Sequence, residues 1–295
     1  MPQILSIFTG IVIFGQMFIV GQHIAQCSSL DIYNRLQPLW RSLIPVLLLV
    51  PLATFGLILL MRPPPEVTLG LAILAAAPGA PVTTRRAEAA GADIGYVSAL
   101  QLTLALVAPI FSPATLGLFD WAFDVSPPAI TLGTVARQVA IVTFVPAALG
   151  WFLSRYAPDF SQRYDSVFSR AAKALFVALL IIVLLALIFV PELRAKLLIG
   201  WTGGLGVLSM AFLAIAFGHT FGGRRADRRS GLAIATVARN LGLALYIAEL
   251  SPTSVAAIPT ILTYALAGFL LAFPYAKWIK RQSDAAQRKT EPSCG

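Results

Sequence analysis

The sequence predicts an all-α integral membrane protein of about nine transmembrane helices. It predicts an inverted repeat in which two interrupted helices cross at the bilayer midplane. Three observations carry this. The 295 residues are 58% hydrophobic and only 12% charged, with mean hydropathy +0.80, whereas a soluble domain has about 25% charged residues. Apolar runs long enough to span a bilayer recur along the whole chain. One of them is broken by Ala75–Ala90, AAAPGAPVTTRRAEAA. There Pro78 and Pro81 flank Gly79, so one continuous helix cannot pass. In lipid, unwound backbone survives only inside protein or beside a cavity, and a broken helix at membrane depth points to a transporter's substrate site.

The first span is Ile4–Val20. No Lys or Arg precedes it and no small-residue cleavage site follows, so it reads as a membrane helix rather than a signal peptide. Ile24-Ala25-Gln26-Cys27 departs from a lipoprotein box at Gln26. The second span is Leu39–Met61, interrupted at Pro45 and Pro51. The third starts near Pro65 and contains the break. The fourth is Ile94–Phe119 and the fifth Ala129–Leu153. The sixth, Ala171–Val190, is the purest apolar run and ends at Pro191. The seventh is Leu198–His219, the eighth Gly231–Leu250 and the ninth Val255–Pro274. The two repeats are residues 1–128 and 129–274, and a polar tail, 275–295, follows with its end expected to be disordered.

Loop charges give the topology. With the N-terminus outside, 17 of the 22 Lys and Arg residues fall on inner segments and only Arg62, Arg194 and Lys196 on outer ones, with Arg137 and Arg239 inside spans. That asymmetry obeys the positive-inside pattern. It accounts for the net charge of +9 without nucleic acid as a partner. The C-terminal tail is then cytoplasmic. Cys27 and Cys294 lie at opposite ends of the chain, so no disulfide framework or thiolate metal site is expected.

Depth brings two polar points together. The Pro78–Pro81 break lies roughly 20 Å in from the outer face, and Arg239-Asn240 roughly 13 Å in from the inner face. Only Gly242 weakens the eighth span there. An ionisable residue within a span is costly and functional by default. Arg239 would hold an anionic group beside the half-helix N-terminus at Pro81. The bland alternatives are that it snorkels to the inner surface or pairs with Glu88.

Thr83, Thr84 and Asn240 are polar at the same depth. Threonines in membrane helices often bond back to their own preceding turn, but these adjoin the break. Gln101 and Thr103 line the same cavity or simply join helices. Arg85 and Arg86 resemble clamps but also satisfy the positive-inside pattern. Glu88 pairs with Arg85 on one helix face or serves as a proton-coupling carboxylate. His23 and His219 receive no role. Gly200, Gly203, Gly204 and Gly206 follow no strand and suggest close helix packing rather than a nucleotide loop.

At these motifs the chain resembles the bile acid:sodium symporter family. Ala77-Pro78-Gly79-Ala80 stands for the family's Cys-Pro-Gly-Gly. Gly91 and the helix ending in Ala108-Pro109 follow in order, and Val145-Pro146-Ala147-Ala148-Leu149-Gly150 matches a helix end. Arg239-Asn240-Leu241-Gly242-Leu243-Ala244 resembles Gln-Asn-Ser-Gly-Leu-Ala. The chain begins at the family's second helix, as nine-helix members do, and is expected to be a divergent bacterial member. The resemblance implies secondary transport by alternating access. A panel of spans one, five and six would move against a core of the other six. The substrate site would comprise Pro78, Gly79, Ala80, Thr83, Thr84, Gln101, Arg239, Asn240 and Gly242.

The departures bear on coupling. The family binds two sodium ions near the crossing. Its Ser-Asn pair is Thr83-Thr84 here, its Glu is Ala235, its Gln beside the Asn is Arg239, and a further Gln aligns near Pro51. Thr83, Thr84 and Asn240 remain as residual sodium ligands, but a guanidinium stands where the cation would sit. Sodium coupling is therefore in doubt, and proton coupling or uncoupled diffusion are the alternatives. The solute is an organic anion and the compartment a bacterial inner membrane, since an Ala- and Arg-rich composition suggests a bacterium. No enzyme motif such as HExxH, GxSxG or a Walker loop occurs, and neither a cofactor nor a stable metal site is expected. A membrane-embedded enzyme or a non-transporting receptor are the readings of another class. The oligomeric state is not readable from the sequence.

Overall fold

The computed structural model describes residues 2–26, 39–80, 83, 87, 90–125, 132–189, 199–249 and 254–290. Within them the chain is helical and forms no strand. The helices are α1 (Pro2–Gln26), α2 (Leu39–Met61), α3 (Pro65–Ala76), α4 (Ile94–Phe123), α5 (Leu132–Tyr156), α6 (Pro158–Phe189), α7 (Gly200–Phe221), α8 (Ala226–Val237), α9 (Leu241–Glu249) and α10 (Ile258–Thr290). A 3₁₀ turn, Ser254–Ala257, leads into α10.

Five stretches are long and apolar enough to cross a membrane among the described residues: Leu39–Met61, Ile94–Phe123, Gly200–Phe221, Ala226–Glu249 and Ser254–Gln282. The third expected span is instead a short helix, Pro65–Ala76, because Ala77–Ala80 leaves the helix. The eighth is two helices in line, α8 and α9, parted at Ala238–Asn240. Large apolar side chains such as Phe144, Leu149, Ile182, Phe212 and Leu270 stand exposed, as a lipid-facing surface requires.

Several boundaries differ from expectation for identifiable reasons. Pro45 and Pro51 do not interrupt α2. The helix widens to a π turn over Ile44–Leu49, where the Val50 N–H bonds back to the Pro45 carbonyl, and Pro51 falls in the first turn beyond it, where a missing N–H is tolerated. Helix α6 begins at Pro158 rather than Ala171, since proline suits a first helical turn. The helix of the ninth span does not stop at Pro274, because α10 runs through it to Thr290. Residues 291–295, and the repeat boundary at Ala129, lie outside the described residues.

Helix α1 packs along α5 and also against α6. The approach to α5 is close. A Cβ on Gly150 would overlap the Phe18 carbonyl, and one on Gly21 the Ala147 carbonyl. The Pro146–Gly150 segment is therefore a contact surface for α1. On the other side α3 and α8 are enclosed by α2, α4, α7 and α10, while α9 packs against α1, α3 and α10. Every residue from Val67 to Ala76 and from Ser230 to Val237 is buried, and helices apolar on all sides belong inside. Gly203 and Gly206 of α7 receive Val67 and Leu71 of α3, so these two glycines of the glycine-rich run serve helix packing.

Candidate functional site

The two breaks meet. Helix α3 ends at Ala76, Ala77 leaves the helical region (φ −107°, ψ 74°), and Gly79 takes φ +68°. At Gly79 a Cβ would lie 2.9 Å from Gln101 Oε1 and 2.9 Å from Leu104 Cβ, so both the conformation and the close approach to α4 demand glycine. Across the crossing, the Asn240 N–H donates to the Ala77 carbonyl at 3.1 Å. One end of each break thus satisfies the other, as buried backbone in lipid requires.

The second break is built without proline. Ala238 is extended (φ −78°, ψ 91°). Asn240 caps α9, its Oδ1 accepting the Leu243 N–H at 3.0 Å and its carbonyl the Ala244 N–H at 2.8 Å, the usual N-cap chemistry. At the end of α8 the Val237 carbonyl accepts the Arg239 N–H at 3.0 Å and the Tyr264 hydroxyl at 2.9 Å. The Asn240 N–H, the Leu243 N–H and the Val237 carbonyl, freed by the break, thus find partners in the opposite break or in a side chain.

Arg239 is buried. It does not snorkel to a surface. Both Nη atoms donate to the Val46 carbonyl of α2 at 3.3 Å, and Tyr264 lines the same cavity as the guanidinium. The Val46 carbonyl is available for a local reason. In the π register its partner would be the N–H of Pro51, which has none. The guanidinium is placed at the C-terminal end of α8, the favourable end of a helix dipole for a cation. Its Nε is buried without a hydrogen-bond partner. Among the described residues no carboxylate pairs with it.

Arg239 lines a cavity of about 50 Å³ with Ala80, Thr83, Asn240, Leu241, Gly242 and Tyr264. The Thr83 hydroxyl is buried there without a partner. Helices α1, α6 and α10 close the remaining wall with Ile13, Gln16, Met17, Phe176 and Phe269. A second void of about 10 Å³, no larger than one water site, lies between Pro78, Gly79, Gln101, Thr143 and Asn240. Gln101 Nε2 is buried and unpartnered beside it.

Of the expected site, Pro78, Gly79, Ala80, Thr83, Gln101, Arg239, Asn240 and Gly242 line these two adjacent spaces. Thr84 and Glu88, together with Pro81, Arg85 and Arg86, lie outside the described residues. Thr103 spends its hydroxyl on the Ala99 carbonyl at 2.9 Å and lines neither space. Gln16, Met17, Tyr264 and Val46 were not singled out from sequence. Gln16 and Met17 sit in an apolar helix with no break, and Tyr264 is one aromatic residue among many. Val46 acquires its role only through Pro51. The described residues around the larger cavity offer the guanidinium of Arg239, the hydroxyls of Thr83 and Tyr264 and the amides of Gln16 and Asn240, but no carboxylate, and no group of three or more His, Cys, Asp or Glu residues gathers anywhere among the described residues. A sodium ion wants several oxygen ligands and a balancing negative charge, and among the described lining residues the one charged group is the cation Arg239.

The description of one family, the Sodium Bile acid symporter family, matches this chain over residues 10–199, more than half its length. No curated protein matches it.

Proposed function

The chain belongs to the Sodium Bile acid symporter family, and we propose that it carries a small organic anion across a bacterial inner membrane by alternating access, with Arg239 in place of a coupling cation. Membership makes it a multi-pass membrane transporter of that type. The finer reading rests on one observation above the others. A buried guanidinium with neutral acceptors only lies where two broken helices meet. A single fixed positive charge in a low-dielectric cavity selects an anion and repels sodium.

On this reading α1, α5 and α6 are the panel and the remaining helices the core, the cavity opening to either side as one slides past the other. The cavity is walled by both groups, with Ile13 and Phe176 on one side and Arg239 and Thr83 on the other. The N-terminus is outside and the tail cytoplasmic, and Glu88 is the carboxylate to examine for a proton-coupled variant of the mechanism.

The test is uptake into sealed vesicles made with the purified full chain. Arg239→Gln abolishes anion uptake while the protein remains folded, and the solute is recovered chemically unchanged. Undiminished uptake by Arg239→Gln contradicts the assignment, and a converted product contradicts transport.

A further inference from the structure

We infer that this protein is an obligate exchanger of small monocarboxylates: the bound anion is the counter-charge of Arg239, and the core crosses only with that anion aboard. The inference rests on the anion-site reading above.

The groups that converge on the cavity are donors. Arg239 Nε and the Thr83 hydroxyl are both buried and unpartnered. Leu241 and Gly242, the first residues of α9, share that cavity, and the first N–H groups of a helix have no intrahelical acceptor. Two of the polar groups nearby already have partners. Asn240 Oδ1 accepts from Leu243 and the Tyr264 hydroxyl is committed to the Val237 carbonyl. A carboxylate is the group that such a set receives, its two oxygens accepting from guanidinium and hydroxyl. The opposite wall is Ile13, Met17, Phe176 and Phe269, which suits an apolar chain on that carboxylate. The volume of about 50 Å³ is far below the roughly 300–1,000 Å³ of sites for drug-sized ligands. The solute is therefore short.

Charge accounting then sets the transport mode. Arg239 is held to α2 through Val46, so its charge travels with that helix. With one carboxylate bound the site is neutral. Without it the site carries a whole positive charge that only neutral dipoles face among the described residues. An isolated buried charge is expensive, and stripping one partner from a buried pair is strongly unfavourable. Closing the cavity around the unpaired guanidinium is consequently the slow route. A loaded core returns freely, and an unloaded one does not. A monoanion balances the site, whereas a dianion leaves a surplus charge.

The experiment uses the full chain in proteoliposomes and labelled 2-oxoisovalerate, a short branched monocarboxylate that stays ionised at neutral pH. Vesicles are loaded either with unlabelled 2-oxoisovalerate or with sulfate buffer. Initial uptake into the carboxylate-loaded vesicles should be at least about tenfold faster than into the sulfate-loaded ones, the factor that little more than one kcal/mol of barrier provides. The exchange rate should not respond to an imposed membrane potential, because the loaded site is neutral. Equal rates into both sets of vesicles overturn obligate exchange and leave the anion-carrier reading standing. An exchange rate that follows the potential overturns the counter-charge assignment. Absence of flux into either set, from protein that melts cooperatively, overturns the anion-carrier reading and the inference with it.

Discussion

The two helix breaks reach the same end by different chemistry. In α3 the break is written into the local backbone. Pro78 follows directly on the non-helical Ala77, and Gly79 adopts φ +68°. In α8–α9 no residue forbids a helix. The break there is held by tertiary partners. Asn240 caps α9, Tyr264 takes the Val237 carbonyl, Arg239 reaches Val46, and the Ala77 carbonyl receives Asn240. A proline–glycine break persists whatever surrounds it. A break held by side chains from other helices exists only while those helices are docked, and it places a charge at the crossing that the first break cannot.

Substitutions can separate the two kinds, and the largest effect is expected at Arg239. Arg239→Gln removes hydrogen bonds from a charged donor and leaves the Val46 carbonyl without its partner. Charged hydrogen bonds of this kind contribute about 1.5–3 kcal/mol, so anion affinity should fall roughly 10- to 100-fold, measured as the ligand concentration that gives half-maximal thermal stabilisation. Next is Gly79→Ala, where a left-handed φ and a Cβ 2.9 Å from Gln101 and Leu104 act together. A loss of about 1–3 kcal/mol is expected from strain and overpacking, seen as a lower melting temperature in detergent with or without anion. If Gly79→Ala melts like the parent, the first break is not fixed by its backbone.

Smaller effects belong to the second break's supports. Asn240→Ala loses the cap of α9 and should cost about 1 kcal/mol, with faster amide exchange in Leu241–Glu249 than in Pro65–Ala76. Equal exchange in both would deny that the cap matters. Tyr264→Phe removes one of the two donors to the Val237 carbonyl, and the Arg239 N–H remains. Its expected cost is at most about 1 kcal/mol, and a larger loss would mean that Tyr264 holds Arg239 as well as the backbone.

Sequence made the first break legible and the second only in part. Proline and glycine act through their own covalent structure, so Pro78-Gly79 announces itself. Arg239 and Asn240 stood out as polar residues in an apolar run, but Asn240 as a cap and Val46 as an acceptor depend on distant elements. The span Leu39–Met61 was readable to its ends, while the π turn inside it was not, because a widened helix keeps the same apolar composition. The early start of α6 at Pro158 and the continuation of α10 to Thr290 escaped notice because hydropathy marks the part of a helix that needs lipid, not the part that projects beyond it. The closeness of α1 to α5 at Gly21 and Gly150 is likewise a property of a pair of helices.

The most direct test of Arg239 as a replacement for the coupling cation is the melting temperature of the purified protein with 2-oxoisovalerate, in sodium chloride and again in choline chloride. At about 100 times its dissociation constant a ligand stabilises by roughly 2.7 kcal/mol. An equal upward shift in both salts, cut to roughly half or less in Arg239→Gln, is the predicted result. A shift that appears only in sodium would contradict the account, because it would mean that oxygen ligands still hold a sodium ion at the crossing despite the guanidinium beside it.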